Sequence, residues 1–278
     1  MLAAGRRRLS KLAAGGLEAE VLLAHVLMKN RAWLYANPDA AVETSSAERF
    51  GTLLERREAG EPIAFLTGQR EFWSLPLKVT PDVLIPRPET ELLVETALRL
   101  LPAGSTRRIA ELGTGSGAIA IALATERPRC EIHATEISPA ALAVARENAD
   151  RLVPDRITFH EGSWFEPLNG RFDVIVSNPP YVDGDDIHLD AGDCAFEPRS
   201  ALSPGPDGLS DIRRIACDAP DYLLPGGWLI FEHGFEQGAA ARSVLKKRGY
   251  TEVETLRDLE ERERVTLGVM TEQGPQNG

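Results

Sequence analysis

The chain has 278 residues, of which 43% are hydrophobic and 26% charged, and these ordinary globular values exclude wholesale disorder and a fibrous repeat. Its formal net charge of −11 argues against a general nucleic-acid binder, because phosphate groups carry charge of the same sign. The three cysteines, Cys130, Cys194 and Cys217, are too widely spaced to predict a disulfide framework or a metal site. The sequence has neither an apolar run of membrane-spanning length nor the apolar segment of a secretory signal, so we expect a cytoplasmic protein without a membrane partner.

The first part of the chain predicts helices only. Apolar residues such as Leu17, Val21 and Leu22 recur at helical spacing, and the sequence predicts a small helical bundle over residues 1–70. Residues 71–88 change character and predict a β-hairpin with an extended linker, in which the turn is placed at Ser74–Pro76. An amphipathic helix over Glu89–Leu101 then opens a second domain, predicted to span residues 89–272.

From Arg107 onward, strand-like and helical segments alternate, which is typical of a mainly parallel sheet with helices on both faces. The predicted strands are Ile109–Leu112, Cys130–Thr135, Ile157–His160, Phe172–Ser177, Gly227–Glu232, Glu252–Leu256 and Val265–Val269. The predicted helices are Ala118–Glu126, Pro139–Asp150, Ser210–Leu223 and Phe235–Arg248. The fold class is therefore α/β with a seven-stranded sheet, and the polar residues 273–278 are expected to form a flexible tail.

A glycine-rich loop follows the first strand of this sheet and opens a helix. Gly113, Gly115 and Gly117 allow a tight turn and a close approach of the backbone to a ligand, although a plain strand-to-helix turn would use glycines too. Glu136 ends the next strand, where a carboxylate can either cap the following helix or accept hydrogen bonds from ribose hydroxyls. Together the loop and the acid indicate an adenosine-containing ligand.

The segment Asn178-Pro179-Pro180-Tyr181 follows the fourth strand, beyond whose carboxyl end ligands bind in such folds. The side-chain oxygen of Asn178 and the carbonyl of Pro179 make two acceptors at a rigid spacing, which suits a planar NH₂ group. Tyr181 can lay its ring on a flat substrate group. The alternative is a rigid Pro-Pro loop with a buried tyrosine.

The loop, the strand-end acid and this turn together resemble S-adenosylmethionine-dependent methyltransferases that modify planar nitrogens. Further segments resemble the release-factor glutamine methyltransferases, the HemK/PrmC family, over about residues 17–270. These segments are Glu61–Gly68, Glu71–Trp73, Val83–Glu91, Glu111–Gly117, Val176–Val182, Glu197–Arg199, Asp207–Leu209 and Phe231–Gly234. The stretch Ile85–Glu91 makes the resemblance specific, because methyltransferases in general do not share it.

The resemblance implies a Rossmann-like class I methyltransferase domain, behind a helical domain that helps to grip the substrate. The substrate would be the glutamine of the Gly-Gly-Gln motif in class 1 peptide-chain release factors, methylated on its side-chain amide nitrogen. The cofactor would be S-adenosylmethionine, with S-adenosylhomocysteine as product, bound by Gly113, Thr114, Gly115, Ser116, Gly117, Glu136, Trp164 and Asn178. Asn178, Pro179, Pro180 and Tyr181 would hold the glutamine amide and form the catalytic turn. Two departures from the family pattern are Glu111 and Glu136, which stand where aspartate is the commoner choice.

Two other functions stay open from the sequence. An adenine amino-methyltransferase acting on DNA or RNA would also use the Asn-Pro-Pro-Tyr turn, but the net charge of −11 and the absence of a basic recognition region argue against it. A cofactor-binding regulatory protein without transfer activity would have no need of an intact Asn178 and Tyr181. We expect a monomer that binds release factors and no nucleic acid directly, and the sequence identifies no general base.

Overall fold

The computed structural model describes residues 1–205 and 207–271. The chain divides into two compact units, of which the first comprises Met1–Gln69 together with Asp190–Phe196 and the second the rest of the described chain. The tail predicted at 273–278 lies outside the described residues. Within the described ranges, every helix is too short or too polar to cross a membrane.

The first unit is helical, as predicted. Its helices are α1 (Leu2–Arg8), α2 (Gly15–Leu27), α3 (Arg31–Ala36), α4 (Thr44–Glu58) and α5 (Ile63–Thr67). Leu22, Phe50 and Leu54 belong to its buried apolar core. The short segment Asp190–Phe196 also belongs to this unit, although the sequence pattern gives no sign of that.

A two-stranded hairpin follows, formed by β1 (Gln69–Phe72) and β2 (Leu75–Lys78). The hairpin itself is confirmed, but the turn expected at Ser74–Pro76 is wrong, because it lies at Trp73 and Ser74. Trp73 and Ser74 both have positive φ, at 53° and 57°, which gives the two-residue turn whose twist matches the flanking strands. Leu75 and Pro76 therefore belong to the second strand.

The second unit contains the predicted seven-stranded, mainly parallel sheet, with strand order β5-β4-β3-β6-β7-β9-β8. The strands are β3 (Arg108–Leu112), β4 (Glu131–Glu136), β5 (Ile157–Glu161), β6 (Phe172–Ser177), β7 (Leu223–Glu232), β8 (Thr251–Arg257) and β9 (Glu263–Met270). The first five strands pair in parallel, whereas β9 lies antiparallel to both β7 and β8. All seven predicted strands are thus present, with ends that differ by at most a few residues.

Helices cover both faces of this sheet. They are α6 (Glu91–Leu100), α7 (Ala118–Glu126), α8 (Pro139–Leu152), α9 (Arg199–Leu202), α10 (Ser210–Tyr222) and α11 (Gly238–Lys247). One core joins α6 and α7 to the face of β3 that carries Ile109, and a second joins α10 and α11 to the face that carries Ala110. Because neighbouring strand residues point to opposite faces, β3 is buried on both sides, which fixes the carboxyl ends of the parallel strands in place.

Candidate active site

The carboxyl ends of three adjacent parallel strands form the floor of the site. The chain winds from β3 to β4 and β5 on one side and then crosses to β6 on the other, so a crevice opens between β3 and β6. Leu112 and Ser177 are register partners at the ends of these two strands, and the Ser177 hydroxyl donates to the Leu112 carbonyl at 2.9 Å. This pairing brings the glycine loop and the Asn-Pro-Pro-Tyr turn side by side.

The glycine loop is held by the neighbouring strand. The backbone N–H groups of Gly113 and Thr114 both donate to the Thr135 carbonyl at 3.0 Å. Gly113 has a φ of +72°, and a Cβ placed there would lie 3.2 Å from the Trp164 ring. A side chain at this position would therefore strain the backbone and press on the tryptophan. Glycine is therefore favoured at position 113 for two reasons, the positive φ and the nearby Trp164 ring.

Glu136 connects the loop to the next strand. One carboxylate oxygen accepts from the N–H of Gly115 and the other from the N–H of Ser138, each at 2.9 Å. The residue is 9% exposed and lines the cavity described below. A carboxylate has about four lone-pair positions, so two backbone donors leave capacity for two hydroxyl donors of a ligand.

A cavity of about 370 Å³ lies above these strand ends, within the range of small-molecule sites. Most of the predicted site residues line it: Gly113, Thr114, Gly115, Ser116, Glu136, Trp164, Asn178 and Pro180. Gly117, Pro179 and Tyr181 are not among the lining residues that the structure describes. Gly117 is instead the N-cap residue immediately before α7, with a φ of +85°, and a Cβ there would meet Ile121 at 3.0 Å.

Sequence reasoning assigned no role to one wall of the cavity, which Asp82–Leu84, Pro86, Arg87 and Thr90 form. This wall is tied to the segment beyond the Asn-Pro-Pro-Tyr turn by Glu197, whose side chain is fully buried. The Ile85 N–H donates to Glu197 Oε1 at 2.9 Å, and the Arg87 guanidinium pairs with Oε2. The sequence did single out the stretch Ile85–Glu91, because it marks the family resemblance. It did not show that this stretch contacts Glu197.

Further lining residues without a role predicted from the sequence include Ile137, Ser163, Asp211 and Arg214. Ile137, directly after Glu136, is 67% exposed and presents an apolar side chain to the cavity. Ser163 lies beside Trp164, and Asp211 and Arg214 come from α10. Burial raises the pKa of Asp211, and the Arg214 charge opposes that shift.

Side chains behind the Asn-Pro-Pro-Tyr turn hold it in place. Asn178 Nδ2 donates to the Thr90 hydroxyl at 3.2 Å, and the Tyr181 hydroxyl donates to Glu232 Oε1 at 3.0 Å. Burial raises the pKa of Tyr181, and the Glu232 charge raises it further. Burial also raises the pKa of Glu232, against the Thr90 and Tyr181 hydroxyls, which favour its ionised form. The Tyr181 ring, which was expected to lie on the substrate, is thus anchored by its hydroxyl outside the cavity lining.

Glu111, at the end of β3, is a second buried carboxyl group. It is 0% exposed, and its Oε2 accepts from the Thr114 hydroxyl at 2.7 Å and from the Ala120 N–H at 3.0 Å. Its Oε1 has no partner among the residues that the structure describes. Burial raises the pKa of Glu111 to about 8, so the group carries a proton at neutral pH.

Comparison with known proteins identifies the same two parts of the chain. Residues 1–68 match the family model described as PrmC N-terminal domain, and residues 88–204 match the methyltransferase small domain. The release factor glutamine methyltransferase of Xylella fastidiosa (strain Temecula1) is 49% identical, covering 96% of this chain and 96% of that protein. The enzyme of the same name from Vibrio cholerae is 50% identical, covering 91% of this chain and 88% of that protein.

Among solved structures, a methyltransferase from Pyrococcus furiosus aligns with a TM-score of 0.55 at 20% identity. The alignment covers 80% of this chain and 98% of that chain. At this level of identity the likeness concerns the fold alone.

Proposed function

Because the chain belongs to the release factor glutamine methyltransferase family, we propose that it methylates the glutamine of the Gly-Gly-Gln motif in class 1 peptide-chain release factors. The methyl donor is S-adenosylmethionine, and the acceptor is the side-chain amide nitrogen. The two relatives named above match over nearly their whole length, which supports the transfer of their activity to this chain.

The observation that carries the proposal is the position and orientation of Asn178. Its Nδ2 already donates to the Thr90 hydroxyl, while the residue itself lines the cavity next to the glycine loop. A carboxamide has one NH₂ group and one carbonyl oxygen, so Oδ1 is left to accept a hydrogen bond from a ligand. An acceptor at this point suits an NH₂ group brought beside the cofactor loop.

The residues present fit S-adenosylmethionine. The loop glycines leave space where a side chain would strike Trp164, and Glu136 keeps acceptor capacity after its two backbone hydrogen bonds. We assign Gly113–Gly117 to the methionine part, Glu136 to the ribose hydroxyls, and Trp164, with the exposed Ile137, to the adenine. When bound, the cofactor supplies a methyl group that is already activated on a sulfonium.

The contribution of the chain to the reaction is then to hold the substrate nitrogen in line. An amide nitrogen is a weak nucleophile because its lone pair is delocalised into the carbonyl group. Asn178 Oδ1 would draw electron density onto that nitrogen and fix its direction. Positioning of this kind lowers a barrier by about 7–11 kcal/mol in favourable cases. No side chain is assigned as a general base.

The test offers the enzyme and labelled S-adenosylmethionine to two substrates in parallel, a class 1 release factor and duplex DNA. Label is expected on the release factor, and it should be lost when the glutamine of its Gly-Gly-Gln motif is changed to alanine. Label on DNA would show an adenine amino-methyltransferase instead. Cofactor binding without label on either substrate would contradict the proposed activity.

A further inference from the structure

One wall of the cavity carries a guanidinium group that a buried carboxylate holds in place. Arg87 lines the cavity, and its Nη2 donates to Glu197 Oε2. The other carboxylate oxygen of Glu197, Oε1, accepts from the Ile85 N–H at 2.9 Å. The Glu197 side chain is 0% exposed, whereas the Arg87 side chain is 27% exposed. Glu197 is therefore the buried anchor of the pair, and Arg87 is the member that reaches the cavity.

Much of the hydrogen-bonding capacity of Arg87 is left for a ligand. A guanidinium group carries several N–H donors in a planar fork. Among the described residues, the Arg87 side chain has its hydrogen bond to Glu197 and no other. None of its nitrogen atoms is buried without a partner, so the unused N–H groups are accessible from the cavity.

The chain places this group close to Asn178. Arg87 immediately precedes a single turn of 3₁₀ helix, Pro88–Thr90, in which the Thr90 N–H donates to the Arg87 carbonyl at 3.1 Å. The hydroxyl of Thr90 in turn accepts from Asn178 Nδ2 at 3.2 Å. One turn of the main chain thus connects the guanidinium group to the residue that faces the substrate amide.

A second arginine lies elsewhere in the cavity. Arg87 and Arg214 are the basic residues among the described residues that line it. Arg214 Nη2 pairs with Glu166 Oε1 at 3.1 Å, and Glu166 is two residues beyond Trp164. Arg214 therefore lies on the side assigned to the adenine, and the cation on the Asn178 side is Arg87.

The chemistry of the two proposed ligands indicates what this cation binds. The glutamine side chain is neutral, whereas the methionine part of S-adenosylmethionine ends in a carboxylate. A short aliphatic chain joins that carboxylate to the sulfonium, whose methyl group has to approach the amide at Asn178. The carboxylate consequently lies near the same side of the cavity as Arg87. A guanidinium fork matches a carboxylate in both charge and shape.

We infer that Arg87 binds the carboxylate of the methionine part of S-adenosylmethionine, and that Glu197 is the positioning residue for its guanidinium group. The inference rests on the cofactor named in the proposed function. It also gives a reason for the buried ion pair, which by itself is a weak source of stability. A donor that is already held in place loses little conformational freedom when the ligand binds.

The experiment measures binding by calorimetry in the absence of a release factor. It compares S-adenosylmethionine with decarboxylated S-adenosylmethionine, which keeps the sulfonium and the ammonium group and lacks the carboxylate. The parent should prefer the intact cofactor by about tenfold to a hundredfold, the effect of one hydrogen-bonded charged group. Arg87→Met should lose most of this preference, because it binds the intact cofactor more weakly and the decarboxylated form within about threefold of the parent.

Further variants separate recognition of the carboxylate from a structural role. Arg87→Met leaves the buried Glu197 without its cation, which destabilises the fold. The double variant Arg87→Met with Glu197→Gln removes that unpaired charge, and it should show the same loss of preference. Glu197→Gln alone keeps the guanidinium group with a weaker anchor, so the preference should fall by a smaller factor. A purely structural ion pair would instead weaken the binding of both ligands equally.

The matched control is Arg214→Met, which removes the other guanidinium group of the cavity lining. It should keep the preference of the parent, because Arg214 lies on the Trp164 side. An equal loss of preference in Arg214→Met and Arg87→Met would show an effect of overall charge, and the assignment to Arg87 would be wrong. An unchanged preference in folded Arg87→Met, with a raised KM for the release factor, would show that the guanidinium group contacts the substrate backbone instead.

The outcomes also distinguish this inference from the proposed function. A parent that binds neither ligand would contradict the proposed cofactor. A parent that binds both ligands equally would overturn the carboxylate contact and leave the proposed function standing. A parent that prefers the intact cofactor through Arg87 but transfers label to DNA would confirm the contact and contradict the proposed substrate.

Discussion

The two halves of the cavity are built in different ways. The half formed after β3 and β4 uses the main chain: backbone N–H groups bond the Thr135 carbonyl and the Glu136 carboxylate, and glycines leave room for a ligand. The half formed after β6 uses side chains, in which Asn178 depends on Thr90, and Tyr181 depends on Glu232. Both halves lie at the carboxyl ends of parallel strands in the same sheet.

The two halves of the cavity differ in which substitutions they tolerate. Main-chain donors are present whatever the side chains are, so the shape of the glycine loop and the position of Glu136 are lost only when the backbone path is disturbed. A chain of side-chain hydrogen bonds depends on every atom in it, and the removal of one donor or acceptor changes the direction of the rest. We therefore expect the first half to govern cofactor affinity and the second to govern turnover.

The largest effect is expected for Asn178→Ala. The substitution removes the acceptor that faces the cavity, and kcat should fall by about 10²–10³-fold, the effect of removing one preorganised hydrogen-bonding group from an active site. The affinity for S-adenosylmethionine, measured by calorimetry, should stay within about threefold of the parent, because the main-chain half is untouched.

This result would separate the two halves in a single variant. Turnover near the parent rate would show that the amide acceptor is dispensable. A loss of cofactor affinity as large as the loss of kcat would show that Asn178 serves both halves, and the division drawn above would be wrong.

An intermediate effect is expected for Gly113→Ala. The left-handed dihedral costs about 1–2 kcal/mol for a residue with a Cβ, and the new methyl group would meet the Trp164 ring at 3.2 Å. Cofactor affinity should fall by about tenfold, because the new methyl group displaces the loop or the Trp164 ring that lines the cavity, with a smaller change in kcat at saturating cofactor.

The chain offers a matched control for this variant. Gly104 has a φ of +76°, close to that of Gly113, and a Cβ there would meet nothing within 4 Å. Gly104→Ala carries the same backbone strain away from the cavity, so it should lower stability without a change in cofactor affinity. Equal losses of affinity in both variants would show that the effect is general destabilisation and not a property of the loop.

The same contrast explains how much of the molecule the sequence could predict. Local signals predicted the alternation of strands and helices, the glycine loop and Glu136. The structure has the predicted sheet, with the loop and Glu136 at the carboxyl ends of its strands. The hairpin turn was misplaced because neither Trp73 nor Ser74 is a residue typical of positive φ. Apart from this turn, local signals were sufficient wherever the main chain builds the feature.

The side-chain contacts join residues far apart in the sequence. Asn178 and Thr90 are separated by 88 positions, Tyr181 and Glu232 by 51, and Arg87 and Glu197 by 110. No periodicity or turn pattern relates such pairs. The sequence could name Asn178 and Tyr181, but it could not show which groups orient them, because that depends on how α6, β6 and β7 meet in the fold.

The smallest effect on methyl transfer is expected for Glu111→Gln, which instead tests the electrostatics beneath the main-chain half. Burial raises the pKa of Glu111 to about 8 from an ordinary value of 4.5, so the folded state holds its proton more tightly than the unfolded state. The contribution of Glu111 to stability is therefore greatest below pH 4.5, and it is lost as the pH rises to 8, where the folded group also ionises. Glutamine mimics the neutral acid and keeps an acceptor for Thr114 and Ala120.

The free energy of unfolding of the variant should not show the decline between pH 5 and 8 that Glu111 causes in the parent. At pH 8.5 the free energy of unfolding of the variant should exceed that of the parent by on the order of a few kcal/mol. Urea unfolding without cofactor at pH 5, 7 and 8.5 measures this difference directly, since a bound ligand would add its own stabilisation. Identical pH profiles for the two proteins would show that Glu111 is ionised in the native loop at neutral pH. The glycine loop would then rest on a buried negative charge, and the main-chain half would be electrostatically as dependent on one side chain as the half that holds Asn178.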